Sequence, residues 1–291
     1  MTDVLHAAHF ALRACHERVT ILENARIARD TFRLRFQCPR LARRVVPGQF
    51  LMLRLAGCDD PLLGRPMALY DTIGAEGQNG APEGVEVVYL VVGKMTGLLA
   101  RSPRGQELNV WGPLGNGFAP QTCEHLVMVA GGIGQTPFLA LAREHLGRRQ
   151  YGDPPRSVRP AARVTLCYGA RTKDYLAGVE EFRRLGVEVQ VSTDDGTAGH
   201  HGLVTELAEQ VLTASPRARV VCCGPERMME AVAKLTSERN VPCQISLETP
   251  MACGIGICFS CVARVRDERG GWDYRRTCVE GPVFDAARIA W

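Results

Sequence analysis

Four cysteines stand apart from the rest of the chain by their spacing. Cys253, Cys258 and Cys261 form C-x4-C-x2-C, and Cys278 follows after sixteen residues. That is the plant-type arrangement for a [2Fe–2S] cluster, in which four thiolates converge on a compact iron–sulfide core. Ala252, Gly254, Gly256 and Ser260 keep side-chain bulk out of the loop. Glycine tolerates positive φ, so backbone N–H groups can turn inward toward the sulfurs, and such hydrogen bonds help set a reduction potential. Structural zinc on the same four thiolates is the alternative. Zinc ribbons pair two short C-x2-C knuckles, whereas here three ligands share one nine-residue loop.

Other segments carry weaker signals. Arg65-Pro66-Met67-Ala68 sets an arginine beside a rigid proline, where its planar fork suits a pyrophosphate or simply faces water. Gly93 to Gly97, with Met95 and Thr96, offers small residues, a hydroxyl and N–H groups to phosphate. Gly131-Gly132-Ile133-Gly134-Gln135-Thr136-Pro137 lies between an apolar run and a helical pattern, where a helix start favours anions. It is not the G-x-G-x-x-G fingerprint, and tight packing explains such a turn equally well. Cys223-Gly224-Pro225 ends another apolar run, and open parallel sheets bind ligands at the carboxyl ends of their strands. Cys223 is therefore either a neighbour of a nicotinamide ring or an inert buried thiol. Thr193-Asp194-Asp195-Gly196 reads as a ribose contact or a turn, and Arg171 as a 2′-phosphate contact or a solvated residue. The other scattered cysteines read as small buried hydrophobes, and His200-His201 as solvated loop residues. No Ser/His/Asp order or metalloprotease helix is present, so no catalytic residue is assigned.

These motifs need elements to position them. The 291 residues suffice for two or three compact units. Residues 1–18 read as an N-terminal extension. Alternation in Arg33–Phe36, the run Phe50–Leu55 and the run Val85–Val92 predict strands of a small β-barrel over 19–120, with a Gly-rich loop over 73–84. From 121 to 242 apolar runs at 126–130, 164–168, 187–191 and 220–223 alternate with helical patterns at 137–146, 175–185, 204–212 and 226–239. This predicts a parallel sheet with helices on both faces. Residues 243–291 form the cluster unit, with a hairpin of 262–265 and 274–277 returning Cys278 to the loop. The fold class is thus α/β plus β. Hydrophobic residues at 46% and charged ones at 23% exclude general disorder. A net charge of +4 is too slight and unclustered to argue for nucleic acid. No apolar run approaches the ~18 residues of a membrane span, and Met1–Ala14 lacks a signal-peptide pattern. A cytoplasmic location is expected, where twelve cysteines mean metal or redox chemistry rather than disulfides.

In their order, these segments resemble the ferredoxin-reductase superfamily, and within it the electron-transfer subunits of NAD-linked dihydroorotate dehydrogenases. The resemblance covers about 19–291. It is carried by Pro47-Gly48-Gln49-Phe50, Arg65-Pro66, Met251 to Cys261, and Thr277 to Ala286. It implies FAD in the barrel, with Arg65, Pro66, Met67 and Ala68 on a first flavin segment, Val88, Tyr89 and Leu90 on a second, and Met95 and Thr96 on the phosphate side. Ala68, Leu90 and Met95 depart from the Ser/Thr, basic residue and Gly usual there. It implies NAD at Gly131, Gly132, Gly134, Thr136, Cys223 and Gly224, and the cluster at Cys253, Cys258, Cys261 and Cys278.

The implied function is a relay. A nicotinamide exchanges two electrons as a hydride, a cluster exchanges one, and FAD can do both. The resemblance further implies an FMN-containing dihydroorotate dehydrogenase catalytic subunit as partner, two copies of each forming a heterotetramer in pyrimidine biosynthesis. Ile255, Ile257 and Phe259 then form part of a docking patch, or else pack against the barrel. Two alternatives stay open: a flavin/Fe–S subunit of another NAD(P)H-linked oxidoreductase, of ferredoxin–NADP reductase or sulfhydrogenase type, and a zinc-stabilised binding protein without enzymatic activity.

Overall fold

The computed structural model describes residues 12–74, 81–268 and 270–291. Most of the expected N-terminal extension (1–11) and the middle of the Gly-rich loop (75–80) lie outside them. The first unit holds β1 (Cys15–Ala28), β2 (Thr31–Gln37), α1 (Pro39–Arg44), β3 (Phe50–Leu55), β4 (Arg65–Ala68), β5 (Asp71–Ile73), β6 (Gly84–Leu90), α2 (Lys94–Leu99) and β7 (Glu107–Leu114). Its strands run β4-β3-β7-β1-β2-β6-β5, all pairs antiparallel. The two-residue link between β4 and β5 brings the sheet's ends together. Leu69 N–H donates to Gln49 C=O and Tyr70 N–H to Glu86 C=O, at 2.9 and 3.0 Å.

Strand β6 is buried on both sides because its period-2 alternation serves two cores. Val85, Val87 and Tyr89 face the barrel interior, while Val88 joins Tyr70 and Phe118 against the next unit. The strand expected over 85–92 stops at Leu90. Beyond it Val91 N–H bonds Asp30 C=O and Val92 is exposed.

The second unit contains β8 (His125–Gly131), α3 (Phe138–His145), β9 (Arg163–Ala170), α4 (Val179–Leu185), β10 (Glu188–Thr193), β11 (His200–His201), α5 (Val204–Ala214), β12 (Arg219–Cys223), α6 (Glu226–Glu238) and β13 (Cys243–Ser246). After the hairpin β14 (Val262–Arg266) and β15 (Trp272–Arg276), the chain returns as β16 (Val283–Asp285). The sheet order is β11-β10-β9-β8-β12-β13-β16, parallel except for the β13–β16 pair. Central β8 is apolar throughout because both faces are covered. Val127 and Val129 meet α5 and α6, and Leu126, Met128 and Ala130 meet α3, α4 and the barrel.

Three differences from the sequence reading have local causes. The first strand starts at Cys15, within the expected extension, because Cys15 pairs with Gly112. The helix expected from 175 starts at Val179, after Gly178 at φ +73° breaks it from a 3-10 turn at Lys173–Tyr175. Strands β13 and β16 fall in the segment expected for the cluster unit, yet they extend the parallel sheet.

Candidate functional site

The cluster loop is shaped by left-handed residues: Gly254 at φ +72°, Gly256 at +81° and Phe259 at +58°. A Cβ on Gly254 would stand 2.6 Å from Met52 Cγ, so the loop lies directly on the barrel. Trp111 Nε1 of β7 donates to Cys253 C=O at 3.0 Å and fixes it there. The fourth cysteine arrives from β15. Thr277, fully buried, donates its N–H and its hydroxyl to Cys261 C=O at 2.7 and 3.0 Å.

The four sulfurs fall into two pairs, Cys253 with Cys258 and Cys261 with Cys278. Among the described residues no three His, Cys, Asp or Glu side chains converge closely enough to hold one metal ion. Two thiol pairs match the two irons of a [2Fe–2S] cluster, each of which takes two thiolates. Each sulfur also has donors. Ile255 N–H reaches Cys253 Sγ at 3.4 Å. Ser260, by hydroxyl and amide, holds the Cys258 thiol down to about 6. The Cys261 and Cys278 thiols lie within hydrogen-bonding reach of each other, which favours the thiolate at the first and the thiol at the second, while the Gly256 amide favours the Cys278 thiolate. Thiolate is the form iron takes, so the donor set fits a [2Fe–2S] cluster. The pairs differ in exposure: Cys261 and Cys278 are buried with Phe50, Met52, Leu114 and Val279, whereas Cys258 is exposed. Beside Cys258, Ile257 and Phe259 are 75% and 61% exposed and Ile255 sits at 36%, so they do not pack against the barrel.

Two cavities lie behind the loop. The smaller, about 390 Å³, is walled by Pro66 and Ala68 of β4, Thr136 and Pro137 after β8, Cys223 of β12, and the run from Ser246 to Met251. Its walls are mostly apolar, with Thr136, Ser246, Glu248 and Thr249 as polar points, which suits a ring system with polar edges. The larger, about 560 Å³, opens at the carboxyl ends of the parallel strands. Gly131, Gly132, Arg171, Asp194, Gly224 and Leu90 line it. Glu248 borders both cavities.

Glycines bring β8 and β12 together at this point. A Cβ on Gly134 would meet Cys223 C=O at 2.3 Å, and one on Gly224 would meet Gly131 N at 2.9 Å. Gly132, at φ +55°, has open space instead. Burial, with the Glu248 charge nearby, pushes the Cys223 thiol well up, so Cys223 is a neutral thiol in the cavity wall.

Of the flavin-segment residues, Pro66 and Ala68 reach the smaller cavity and Leu90 the larger. The Arg65 guanidinium turns back to Leu63 and Gly64 carbonyls at 3.0 and 3.1 Å. Met67 and Met95 are in the barrel core, as is Tyr89, whose hydroxyl donates to Asn24 Oδ1 at 3.0 Å. Val88 packs against the nucleotide unit. Thr96 spends its hydroxyl on the Val92 and Gly93 N–H groups. Arg171 stacks on Tyr175 at 4.6 Å at the mouth of the larger cavity. Sequence reasoning missed Glu248 and Thr249, and it quoted Thr277 only as part of the segment around Cys278, with no role of its own. Thr249 lines the smaller cavity and its hydroxyl pairs with that of Thr277. Their only signal was adjacency to the cysteine motif.

Comparison with known proteins adds three matches along the chain. Residues 18–118 match the oxidoreductase FAD-binding domain, 128–234 the oxidoreductase NAD-binding domain, and 248–290 the iron–sulfur cluster binding domain of dihydroorotate dehydrogenase B. A Desulforamulus reducens protein named dihydroorotate dehydrogenase B (NAD(+)), electron transfer subunit, is 34% identical over 91% of this chain and 94% of its own. A protein of the same name from Caldanaerobacter subterraneus is 34% identical over 94% and 97%. Among solved structures, one described as an NADH-dependent reduced ferredoxin–NADP oxidoreductase superposes with a TM-score of 0.75 at 29% identity, covering 94% of this chain and 90% of that one. The Neisseria gonorrhoeae ferredoxin NADP+ reductase, at 17% identity and TM-score 0.62 over 77% and 91%, shares the fold.

Proposed function

This chain belongs to the family of dihydroorotate dehydrogenase B electron-transfer subunits, and from that premise we propose that it carries electrons from a separate dihydroorotate-oxidising subunit to NAD+ in pyrimidine biosynthesis. It is an oxidoreductase subunit with FAD-binding, NAD-binding and iron–sulfur parts. Bound flavin exchanges electron pairs with a nicotinamide and single electrons with a cluster, which is the chemistry these groups supply. One observation carries the reading: the single run 246–261 borders the larger cleft through Glu248, walls the smaller cavity, and then supplies three of the four cysteines.

Cys253, Cys258, Cys261 and Cys278 hold the cluster, the buried pair toward the cavity and the other toward the surface. Arg65, Pro66, Met67, Ala68, Val88, Tyr89, Leu90, Met95 and Thr96 form the flavin segments. Pro66 and Ala68 line the smaller cavity and would face a bound flavin ring there, and the buried Met67, Tyr89 and Met95 act by holding the backbone in place. Met95 and Thr96 contribute main-chain atoms, since both side chains are committed internally. Gly131, Gly132, Gly134, Thr136, Cys223 and Gly224 shape the nicotinamide side, the neutral Cys223 excluding water from the ring contact. The division into 19–120, 121–242 and 243–291 assigns one group to each unit. The partner is an FMN-containing catalytic subunit, two copies of each chain forming a cytoplasmic heterotetramer, with Ile255, Ile257 and Phe259 in the docking patch. Oxidation of dihydroorotate itself is assigned to that subunit.

The 29%-identical oxidoreductase neighbour favours a second reading, a relay of the same kind serving ferredoxin and NADP. The test is the visible spectrum of anaerobically purified protein before and after NADH. Flavin and Fe–S bands that bleach support the relay. Bands that respond only to NADPH favour the second reading. A colourless protein after cluster reconstitution and added FAD refutes both. Co-purification with a dihydroorotate-oxidising chain then identifies the partner.

A further inference from the structure

We propose that Arg276 and Glu280 set the reduction potential of the cluster, Arg276 by a fixed positive charge clasped to the cluster loop and Glu280 by offsetting that charge. The inference rests on the cluster reading above and gives a role to two residues that are not cluster ligands.

Arg276 ends β15, two residues before Cys278. Its side chain is only 11% exposed. Nη1 donates to Gly256 C=O at 3.0 Å, and the guanidinium lies 4.9 Å over the Phe259 ring. Arg276 thus grips two of the loop's left-handed residues. Phe259 needs that grip more, because a residue with a Cβ resists positive φ, and cation–π attraction holds its ring. Gly256 matters because its amide is the donor beside Cys278 Sγ. The guanidinium therefore holds Gly256 from its carbonyl side while that residue's N–H faces the fourth sulfur, and it brings its charge to the same turn.

Glu280 sits on the other side of this arginine. Its Oε2 accepts the Arg276 backbone N–H at 2.9 Å, and its Oε1 lies 3.4 Å from the guanidinium Nη2. At 16% exposure it is nearly as enclosed as its partner, so solvent and salt screen neither charge well. Reduction of a [2Fe–2S] centre adds one electron and hence one negative charge, with no bond made or broken and no proton required. A nearby cation favours the reduced form and a nearby anion opposes it. The two residues must therefore act with opposite sign, whereas loss of mere packing at either position has no reason to do so.

The experiment is an EPR-monitored redox titration of the full chain with its cluster, dithionite supplying the electron, for wild type, R276Q, R276K and E280Q. R276Q is expected to make the cluster about tenfold harder to reduce, which is about 59 mV for one electron. E280Q is expected to move the midpoint upward, and R276K to stay near wild type. The proposal is overturned if R276Q and E280Q shift the midpoint in the same direction, if both leave it unchanged, or if R276K behaves as R276Q does. Should R276Q fail to assemble a cluster, E280Q decides alone: an upward shift supports the proposal and any other result refutes it. A wild-type protein with no reducible Fe–S signal refutes the relay reading itself, before any variant is compared.

Discussion

Two histidines give the protein a pH-dependence that its redox centres do not explain. His145 is buried on α3 with Nδ1 against Leu141 C=O at 3.1 Å, and His125 is buried with Nε2 against Thr165 Oγ1 at 2.8 Å. Burial lowers both pKa values. A histidine kept neutral in the fold binds its proton more readily once unfolded, near pH 6.5, so stability is full above that value and is lost as pH falls below it. Urea unfolding at pH 7.5 and 5.5 should show a decline of up to about 1.4 kcal/mol per pH unit for each histidine. H145Q should remove its share of the slope. At the same scale, the cysteines divide as their surroundings dictate. Cys15, Cys38, Cys167, Cys222 and Cys243 are buried, as small hydrophobes should be. The cluster four were legible because a local spacing rule governs them. Thr249 and Thr277 were not, because their pairing spans 28 positions and leaves no periodic trace.

Among elements, the turn after β8 explains why its glycines differ in purpose. G134A would press a methyl group onto the Cys223 carbonyl, and overpacking of that kind costs about 1–3 kcal/mol. G132A meets no neighbour and should cost only about 1 kcal/mol for its positive φ. Thermal unfolding of both variants, with NADH affinity, separates a packing glycine from a cleft-facing one. In the cluster loop, G254A would collide with Met52 and should lift the loop from the barrel, read as faster bleaching of the Fe–S absorbance by a chelator. The parallel strands were readable as apolar runs because both faces are buried. Strands β4 and β5, at four and three residues, were not, since short antiparallel edges carry too few positions to show alternation.

At the scale of the whole molecule, the barrel and the parallel sheet are held by specific polar contacts as well as apolar ones. Glu181 of α4 accepts from Arg33 of β2 at 2.7 Å and from Tyr70 at 3.0 Å, and Arg29 N–H donates to Asp174 C=O at 2.8 Å. E181A strands the Tyr70 hydroxyl in the interface and should cost about 1–3 kcal/mol in urea unfolding, with weaker FAD retention because the smaller cavity has walls from both units.

The antiparallel pairing of β13 with β16 sets Ser246 opposite Val283. The chain therefore leaves the sheet and comes back at neighbouring points, with everything from 247 to 282 as an excursion between them. Such a seam is a natural place for genetic grafting. Its ends are already side by side, and the entropy of closing a loop grows only as the logarithm of its length. Replacing the excursion by a short turn should leave a chain that folds but has lost one wall of the smaller cavity. The four cluster cysteines and one wall of the smaller cavity thus travel on the same excursion, so a change to its length reaches both.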